Sequence, residues 1–195
     1  MQALVIGSNP TLLLNVVQAL SVANIQAEVL SDWRAPRVRF SRYCRRYHCV
    51  ASRTLTLTFP GAADRLQRYS ERLDIDLVIA CDLTAIIGLA HLWQSTATAI
   101  PCFPIASLEV IETLHDKWRF HQLLRGLQLP SPSTHLLAAD GCEAAHDLTY
   151  PLMLKPVAGE GSSGVVRCNS AQELLARRSS QAEDWIAAAA SSSRA

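Results

Sequence analysis

The sequence lacks any apolar run approaching the roughly 20 residues that a membrane-spanning helix requires, although 49% of its 195 residues are hydrophobic. It also lacks the basic leader of a secretory signal peptide, because the first residues lead directly into a strand pattern. A net charge of +1 gives no overall field that would attract nucleic acid or a membrane surface. We therefore expect a soluble globular protein with enough apolar material for one full domain and part of another.

No regular cysteine spacing indicates a disulfide framework or a zinc site. The six cysteines lie at positions 44, 49, 81, 102, 142 and 168. Cys44 and Cys49, even with His48 beside them, lack the second ligand pair of a structural zinc site. In a chain with an ample core, reduced cysteines that act as small hydrophobes are the simplest interpretation, and they predict a cytoplasmic location.

The N-terminal half has the hydrophobic pattern of a βαβ unit. An apolar run at 3–6 predicts a strand, periodic apolar residues at 11–23 predict a helix, and alternation at 25–30 predicts a second strand. This order predicts a parallel sheet with helices on its faces, in the α/β class. We place the first domain at residues 1–110 and the second at 111–195. Further helices are predicted at 62–73 and 85–95, and further strands at 55–59, 76–80 and 100–105, the last irregular because of its prolines.

The second half begins with two helices and continues into strands. Residues 108–128 are helical twice, with a break where Asp116 is suited to cap the second helix. A helix end is predicted at 183–184, and the alanine-rich and serine-rich stretch 187–195 carries no signal for a closing element. The elements between are a strand at 135–138, a short helix or turn at 140–147, a strand–loop–strand segment at 150–166 and a helix at 170–178.

The most informative segment is 150–166, which reads Tyr-Pro-Leu-Met-Leu-Lys-Pro-Val-Ala-Gly-Glu-Gly-Ser-Ser-Gly-Val-Val. It places the charge of Lys155 between an apolar strand and a loop rich in backbone N–H groups. Such a loop can wrap a polyphosphate, because glycine lets the main chain approach the anion closely. The lysine precedes the glycines, so the segment is not a Walker A loop. The alternative interpretation is a plain hairpin with a glycine turn and a solvated lysine.

Four features in a fixed order resemble the ATP-grasp superfamily. They are Asp116-Lys117 at a helix start, the proline-containing turn at 129–134, the Pro-Leu-Met-Leu-Lys-Pro strand at 151–156, and the glycine-rich flap that follows. The N-terminal α/β unit is similar to the pre-ATP-grasp domain, so the resemblance covers nearly the whole chain. It implies a Rossmann-like parallel sheet followed by the first, incomplete α+β subdomain of an ATP-grasp fold.

The resemblance also implies a nucleotide site and an activity. Lys117 and Lys155 would contact the ATP phosphates, and the flap would consist of Gly159, Gly161, Ser162, Ser163 and Gly164. The family activates a carboxylate as an acyl phosphate, which an amine or similar nucleophile then attacks, with ATP and Mg²⁺ as cofactors. Phosphoryl transfer requires charge neutralisation and positioning more than a covalent nucleophile, and no catalytic residue is assigned.

The sequence departs from the family after the flap. We find neither an acidic adenine-hinge strand nor the later acidic residues and asparagine that hold magnesium, so no metal ligands are assigned. The resemblance therefore implies an N-terminal fragment that is incomplete for catalysis, with its metal ligands expected in a missing C-terminal part. The alternative is a non-catalytic nucleotide-binding module or pseudo-enzyme.

Two other segments offer weaker candidates. Residues 7–10 follow the first strand, where a dinucleotide site has Gly-x-Gly-x-x-Gly, but the single glycine favours a structural turn. Between Asp32 and Asp64 there is no acid but there are seven arginines, at 34, 37, 39, 42, 45, 46 and 53. We interpret this segment as a solvated connection balanced by acids elsewhere. Contact with an anionic substrate is the next interpretation, and nucleic-acid binding is the third.

Overall fold

The computed structural model describes residues 1–95, 101–137, 148–159, 161–178 and 184–189. The chain divides into two compact units, Met1–Leu108 and Glu109–Ala195. Within the described residues, no helix is long and apolar enough to cross a membrane. The five cysteines in these ranges carry free thiols. Burial raises the pKa of Cys81 to about 12 and that of Cys102 to about 11, which keeps both thiols protonated and unreactive at neutral pH.

The first unit is built around a parallel sheet of four strands in the order β3, β2, β1, β4. The strands are β1 (Gln2–Ile6), β2 (Gln26–Ser31), β3 (Cys44–Cys49) and β4 (Leu77–Ala80). The helices are α1 (Pro10–Val22), α2 (Ser52–Leu55), α3 (Ala62–Arg72) and α4 (Leu83–Ser95), with a 3-10 helix at Pro36–Phe40. The parallel pairing of β1 with β2 confirms the predicted βαβ opening.

Strand β1 is buried on both of its faces, because helices cover both sides of the sheet. Leu4 and Ile6 belong to a core cluster that includes side chains from α3 and α4. Val5 points to the opposite face and joins a cluster with Leu13 and Val17 of α1. This double coverage explains why the strand is a continuous apolar run rather than an alternating one.

Two parts of the sequence prediction for this unit are wrong. Residues 55–59 do not form a strand, because α2 ends at Leu55 and Leu57 has a φ of +54°, which lies outside the β region. The alternating apolar residues of this segment nevertheless include two core residues, because Leu55 and Leu57 are both buried. The arginine-rich segment, predicted as a connection, contains β3, whose positions 45 and 46 are exposed.

The remaining predictions for the first unit can be compared directly with the structure. The predicted helices at 62–73 and 85–95 and the predicted strand at 76–80 are confirmed as α3, α4 and β4. From the predicted strand at 100–105, the described residues form an isolated parallel bridge between Val78 and Cys102. Residue 100 lies outside the described ranges.

The second unit combines helices with an antiparallel sheet in the order β5, β8, β6, β7. The strands are β5 (Thr134–Leu137), β6 (Leu152–Pro156), β7 (Val166–Cys168) and β8 (Trp185–Ala189). The helices are α5 (Leu108–His115), α6 (Lys117–Gly126) and α7 (Ala171–Arg178). Leu154 of β6, Leu174 of α7 and Trp185 of β8 share one core cluster, which holds α7 against the sheet.

Strand β8 corrects the prediction for the C-terminal part. Asp184 directly precedes a strand rather than ending a helix, and β8 pairs with both β5 and β6. Residues 185–188 are buried, so this central strand shows no alternation of polarity that a sequence pattern could reveal. The predicted turn at 140–147 and positions 138, 183 and 190–195 lie outside the described residues. The predicted helix pair, hairpin and final helix are confirmed.

Candidate functional site

Lys155 is positioned by the register of β6. Leu152 and Leu154 of this strand are buried in the core, and Lys155 lies between Leu154 and Pro156 with its partner Ile186 on β8. Because side chains alternate across a strand, Lys155 points to the face opposite these two leucines. The strand therefore holds Lys155, which is half-buried, shortly before the glycine-rich loop.

Lys117 is positioned by the start of α6. The carboxylate of Asp116 caps this helix, because it accepts hydrogen bonds from the backbone N–H groups of the second and third helical residues at 2.9 and 2.8 Å. The backbone N–H of Lys117 donates to the carbonyl of Val157 at 3.0 Å. Its ammonium group donates to the carbonyl of Gly159 at 2.9 Å and to that of Val157 at 3.4 Å. The helix start is thus tied to the loop after β6.

The two lysines act on each other electrostatically. Partial burial and the neighbouring Lys155 ammonium hold the pKa of Lys117 below its ordinary value, while Asp116 acts in the opposite sense. Among the described residues, no carboxylate lies within 4.0 Å of either ammonium group. Two cations beside one loop, without a counter-ion from the described chain, form an environment that favours a bound anion.

The chain contains only these two lysines, whereas it contains sixteen arginines. This low ratio of lysine to arginine was not used in predicting the site, although it can be counted from the sequence. A lysine ammonium is a compact point charge, whereas a guanidinium is a planar group that suits bidentate pairing. Both places where the chain uses the compact charge are in this site.

The flap lies between β6 and β7, and its residues are exposed in the described part. Left-handed φ values occur at Gly159 (+125°), Gly161 (+64°), Ser162 (+61°) and Gly164 (+74°). Side-chain carbons added at Gly159 and Gly161 would meet no atom within 4 Å, so space remains there for a ligand. One added at Gly164 would lie 2.7 Å from Cγ of Pro156, so this glycine permits the loop to close back onto β6.

The structure brings the predicted site residues together unequally. Lys117 donates a hydrogen bond to Gly159, and the charge of Lys155 acts on Lys117. Gly161, Ser162, Ser163 and Gly164 follow in the same loop, where the N–H of Val165 donates to the carbonyl of Ser162 at 3.2 Å. Within the described residues, no hydrogen bond joins these four to either lysine.

The described residues do not fit a magnesium site. They contain no group of three His, Cys, Asp or Glu side chains that could hold a metal ion. The sequence predicts a helix end at 183–184 with no closing element after it, and β8 corrects this prediction. This strand nevertheless consists of Trp185, Ile186 and three alanines, so it supplies no carboxylate.

The turn after β1 is filled by a carboxylate from within the first unit. Asp82, 4% exposed, accepts hydrogen bonds from the backbone N–H and hydroxyl of Ser8 and from the N–H of Asn9. A side-chain carbon at Gly7 would lie 2.4 Å from Sγ of Cys81, so no room remains beside the turn. Asp82 occupies the place where a dinucleotide phosphate would bind, as the interpretation of a structural turn predicts.

Several arginines of the 34–53 segment are bound within the first unit. Arg34 donates to the buried carboxylate of Asp32 at 2.8 Å. Glu28 is 1% exposed, lies 2.7 Å from Nε2 of His48 and 4.0 Å from Nη1 of Arg46. Acids of β2 and its C-terminal end therefore balance part of the positive charge of this segment.

Comparison with known proteins gives partial sequence matches to two ligases. No family model matches the chain. A stretch of 64 residues, 31% of this chain, is 45% identical to the D-alanine–D-alanine ligase of Pseudomonas putida strain GB-1 and covers 20% of that enzyme. A second ligase of this species, D-alanine–D-alanine ligase B of strain KT2440, is 44% identical over 64 residues.

Comparison with solved structures extends over nearly the whole chain. The L-amino acid ligase from Bacillus licheniformis is similar over 97% of this chain and 44% of its own, with a TM-score of 0.66 and 18% identity. The N5-carboxyaminoimidazole synthetase from Staphylococcus aureus, complexed with ADP, is similar over 97% of this chain and 46% of its own, with a TM-score of 0.62 and 15% identity. The chain has the fold of the first, incomplete part of an ATP-grasp protein. It spans less than half the length of these structures, and the matched stretch covers a fifth of the D-alanine–D-alanine ligase.

Proposed function

We propose that the chain binds ATP through Lys117, Lys155 and the flap, and that it forms the nucleotide-binding portion of an ATP-grasp ligase. Such an enzyme would activate a carboxylate as an acyl phosphate for attack by an amine or similar nucleophile. The observation that carries the proposal is the pair of ammonium groups beside one glycine-rich loop, without a described carboxylate to neutralise them.

Lys117 would exchange its carbonyl partners for phosphate oxygens. Its ammonium group donates to the carbonyls of Gly159 and Val157, which are neutral acceptors. Phosphate oxygens carry negative charge, so a phosphate adds a Coulomb attraction to the ammonium group that neutral carbonyls do not supply. A phosphate would also relieve the repulsion by Lys155 that lowers the pKa of Lys117. The two lysines would thus hold and neutralise the nucleotide without a covalent step.

The flap would complete this grip through its backbone. Open space at Gly159 and Gly161 allows the main chain to approach an anion closely, while Gly164 keeps the far end of the loop on Pro156. Mg²⁺ would accompany ATP, but no described residue is assigned to it.

The comparisons support a ligase rather than a non-catalytic module, because the partial sequence match and the fold match both involve ligases or synthetases. The catalysed reaction, the carboxylate and the amine belong to the proposal, since the chain spans only part of these relatives.

The lysine bias allows a direct test. Reductive methylation with ¹³C-formaldehyde labels Lys117, Lys155 and the N-terminal amine, which are the primary amines that the sequence encodes. We expect ATP to shift both lysine signals and to raise the pKa of Lys117, whereas the amine of Met1, which lies 3.9 Å from Asp76 in the first unit, stays unchanged. Lys117→Arg and Lys155→Arg assign the two signals.

Isothermal titration provides the affinity. Lys117→Met and Lys155→Met should each weaken ATP binding about tenfold or more, because each removes a charge-assisted hydrogen bond. Arg125→Gln removes a cation from the last turn of α6 and should leave the affinity within about twofold. Lysine signals that ATP does not move, or wild-type affinity in Lys155→Met, would contradict the proposal.

A further inference from the structure

A second candidate site lies in the first unit, in a cleft that follows β3. We name it the α2–α3 cleft, after the helices that flank it. Its lining includes Arg53, Thr54 and Thr58 from α2 and the following turn, and Arg65 from α3. Its volume is about 670 Å³. This lies within the range of roughly 300–1,000 Å³ that is typical of small-molecule sites.

The α2–α3 cleft is positively charged. Arg53 and Arg65 both line it, and its lining contains no acidic residue. Within the described residues neither guanidinium has a carboxylate within 4.0 Å, in contrast to Arg34 and Arg46 on the same unit. Asp64, the neighbour of Arg65 in sequence, lines an adjoining cavity instead. The cleft therefore presents two guanidinium groups whose charge the described chain does not neutralise.

A small, mainly apolar recess adjoins the cleft. Leu30, Leu57, Leu66 and Tyr69 line it, and it shares further lining residues with the cleft, namely Val50, Thr54, Phe59 and Arg65. Its volume is about 60 Å³. This is several times the roughly 15 Å³ that a water molecule needs, but a recess lined by such side chains gives water few polar partners. A short alkyl group suits it better.

The wall between cleft and recess is held in an uncommon backbone conformation. Leu57 is buried with a φ of +54°, which costs free energy for a bulky residue. The adjacent carbonyl of Thr56 packs against Gly88 of α4 so closely that a side-chain carbon there would lie 2.4 Å from its oxygen. Backbone strain that the surrounding packing holds in place is concentrated at ligand sites in proteins. Here the strained conformation of Leu57 fixes the shape of the recess.

We propose that the α2–α3 cleft binds a small organic carboxylate, with its anionic group beside Arg53 and Arg65 and its short alkyl group in the recess. Guanidinium groups suit carboxylates because the two planar groups pair with two parallel hydrogen bonds. The recess distinguishes this ligand from inorganic phosphate, which shares the charge but has no apolar part. The inference uses residues of the first unit alone and does not depend on nucleotide binding.

The test uses the 195-residue chain and isovalerate as the probe. We expect saturable chemical-shift changes in ¹H–¹⁵N spectra, concentrated in residues 50–66, without ATP. Arg53→Gln and Arg65→Gln should each weaken binding about tenfold, because each loses an ionic hydrogen bond. The matched control is Arg68→Gln, an exposed arginine of α3 outside the cleft lining, which should bind like the wild type. Circular dichroism establishes that each variant is folded.

Three further probes separate the contribution of the charge from that of the apolar contact. Isovaleramide, which has the same shape without the charge, should bind at least about tenfold more weakly. Acetate should also bind more weakly, by about fourfold for each methylene that it lacks in the recess. Inorganic phosphate should bind more weakly than isovalerate, because it has no apolar part to fill the recess.

Several results would overturn the inference. They are absence of saturable isovalerate shifts, equal binding of the amide, phosphate binding as tight as that of isovalerate, or an equal loss in Arg68→Gln. Loss of ATP binding with isovalerate binding retained would count against the lysine site alone.

Discussion

Gly88 and Gly126 allow the same substitution to be compared in two helices. Gly88 lies in the interior of α4, and Gly126 is the last residue of α6. A side-chain carbon at Gly88 would meet the carbonyl oxygen of Thr56 at 2.4 Å and its carbon at 2.8 Å, whereas one at Gly126 would meet nothing within 4 Å. We therefore expect Gly88→Ala to destabilise the protein and Gly126→Ala to stabilise it.

The magnitudes follow from two opposing effects. Alanine is favoured over glycine by about 1 kcal/mol in a helix interior, and we take about half of this at the helix end. At Gly126 nothing opposes this gain, so we expect stabilisation by about 0.5 kcal/mol. At Gly88 the obstacle is backbone, which cannot rotate away as a flexible side chain can. Overpacking costs about 1–3 kcal/mol, and such a short contact falls at the upper end, which leaves a net destabilisation of about 2 kcal/mol.

Thermal unfolding followed by circular dichroism measures both effects. In a chain of this size, 1 kcal/mol shifts Tm by about 2–4 °C, so Gly88→Ala should lower Tm by about 4–8 °C and Gly126→Ala should raise it by about 1–2 °C. Urea unfolding provides an independent free energy, with an unchanged m value. An unchanged or higher Tm for Gly88→Ala would refute the close packing of α4 on the chain at Thr56.

Three further substitutions test the electrostatics. Asp82→Ala leaves the buried N–H donors of the β1–α1 turn without their acceptor and should lower the free energy of unfolding by about 3 kcal/mol in urea; a loss near zero would contradict this role. ATP affinity should fall as pH rises through the lowered pKa of Lys117, because only the protonated amine attracts phosphate, whereas Lys117→Arg should remain insensitive to pH there. Titration calorimetry at several pH values measures the affinity, and identical pH dependence in the wild type and Lys117→Arg would refute this role of Lys117. Burial raises the pKa of Asp32, but hydrogen bonds, chiefly from Arg34, lower this pKa overall. The Asp32 carboxylate therefore stabilises the fold above the unfolded pKa near 3.8, and this stability is lost as pH falls through the folded pKa. Arg34→Gln should therefore move the midpoint of acid unfolding to higher pH, and an unmoved midpoint would count against the pair.

Local sequence patterns predicted the helices and strands whose buried face can be read from their own residues. The apolar run of β1 and the charged amphipathic pattern of α3 each correspond to an observed element. Asp116 was predictable as a cap because the chemistry of an N-cap depends on residues within one turn. The order of the motifs predicts that Lys117 and Lys155 share one site, which stays a prediction, and the carbonyl partners of Lys117 were not foreseen.

The remaining features depend on residues far apart in sequence. The carboxylate of Asp82 meets the turn at Ser8 across 74 positions, and no local pattern records that contact. Strand β8 is an alanine-rich run whose strand character comes from the two neighbours that pair with it. Leu57 alternates with Leu55 as a strand would, but tertiary packing determines its left-handed backbone.

Strand β3 lies at one edge of the parallel sheet, where a second molecule could in principle add its own strand. At this edge Arg45 and Arg46 are exposed in consecutive positions. Two copies that joined their sheets through β3 would bring arginines of one molecule beside arginines of the other, and like charges in adjacent strands repel. Arg45 and Arg46, whose charges made β3 resemble a loop in the sequence, thus protect the first unit from edge-to-edge aggregation.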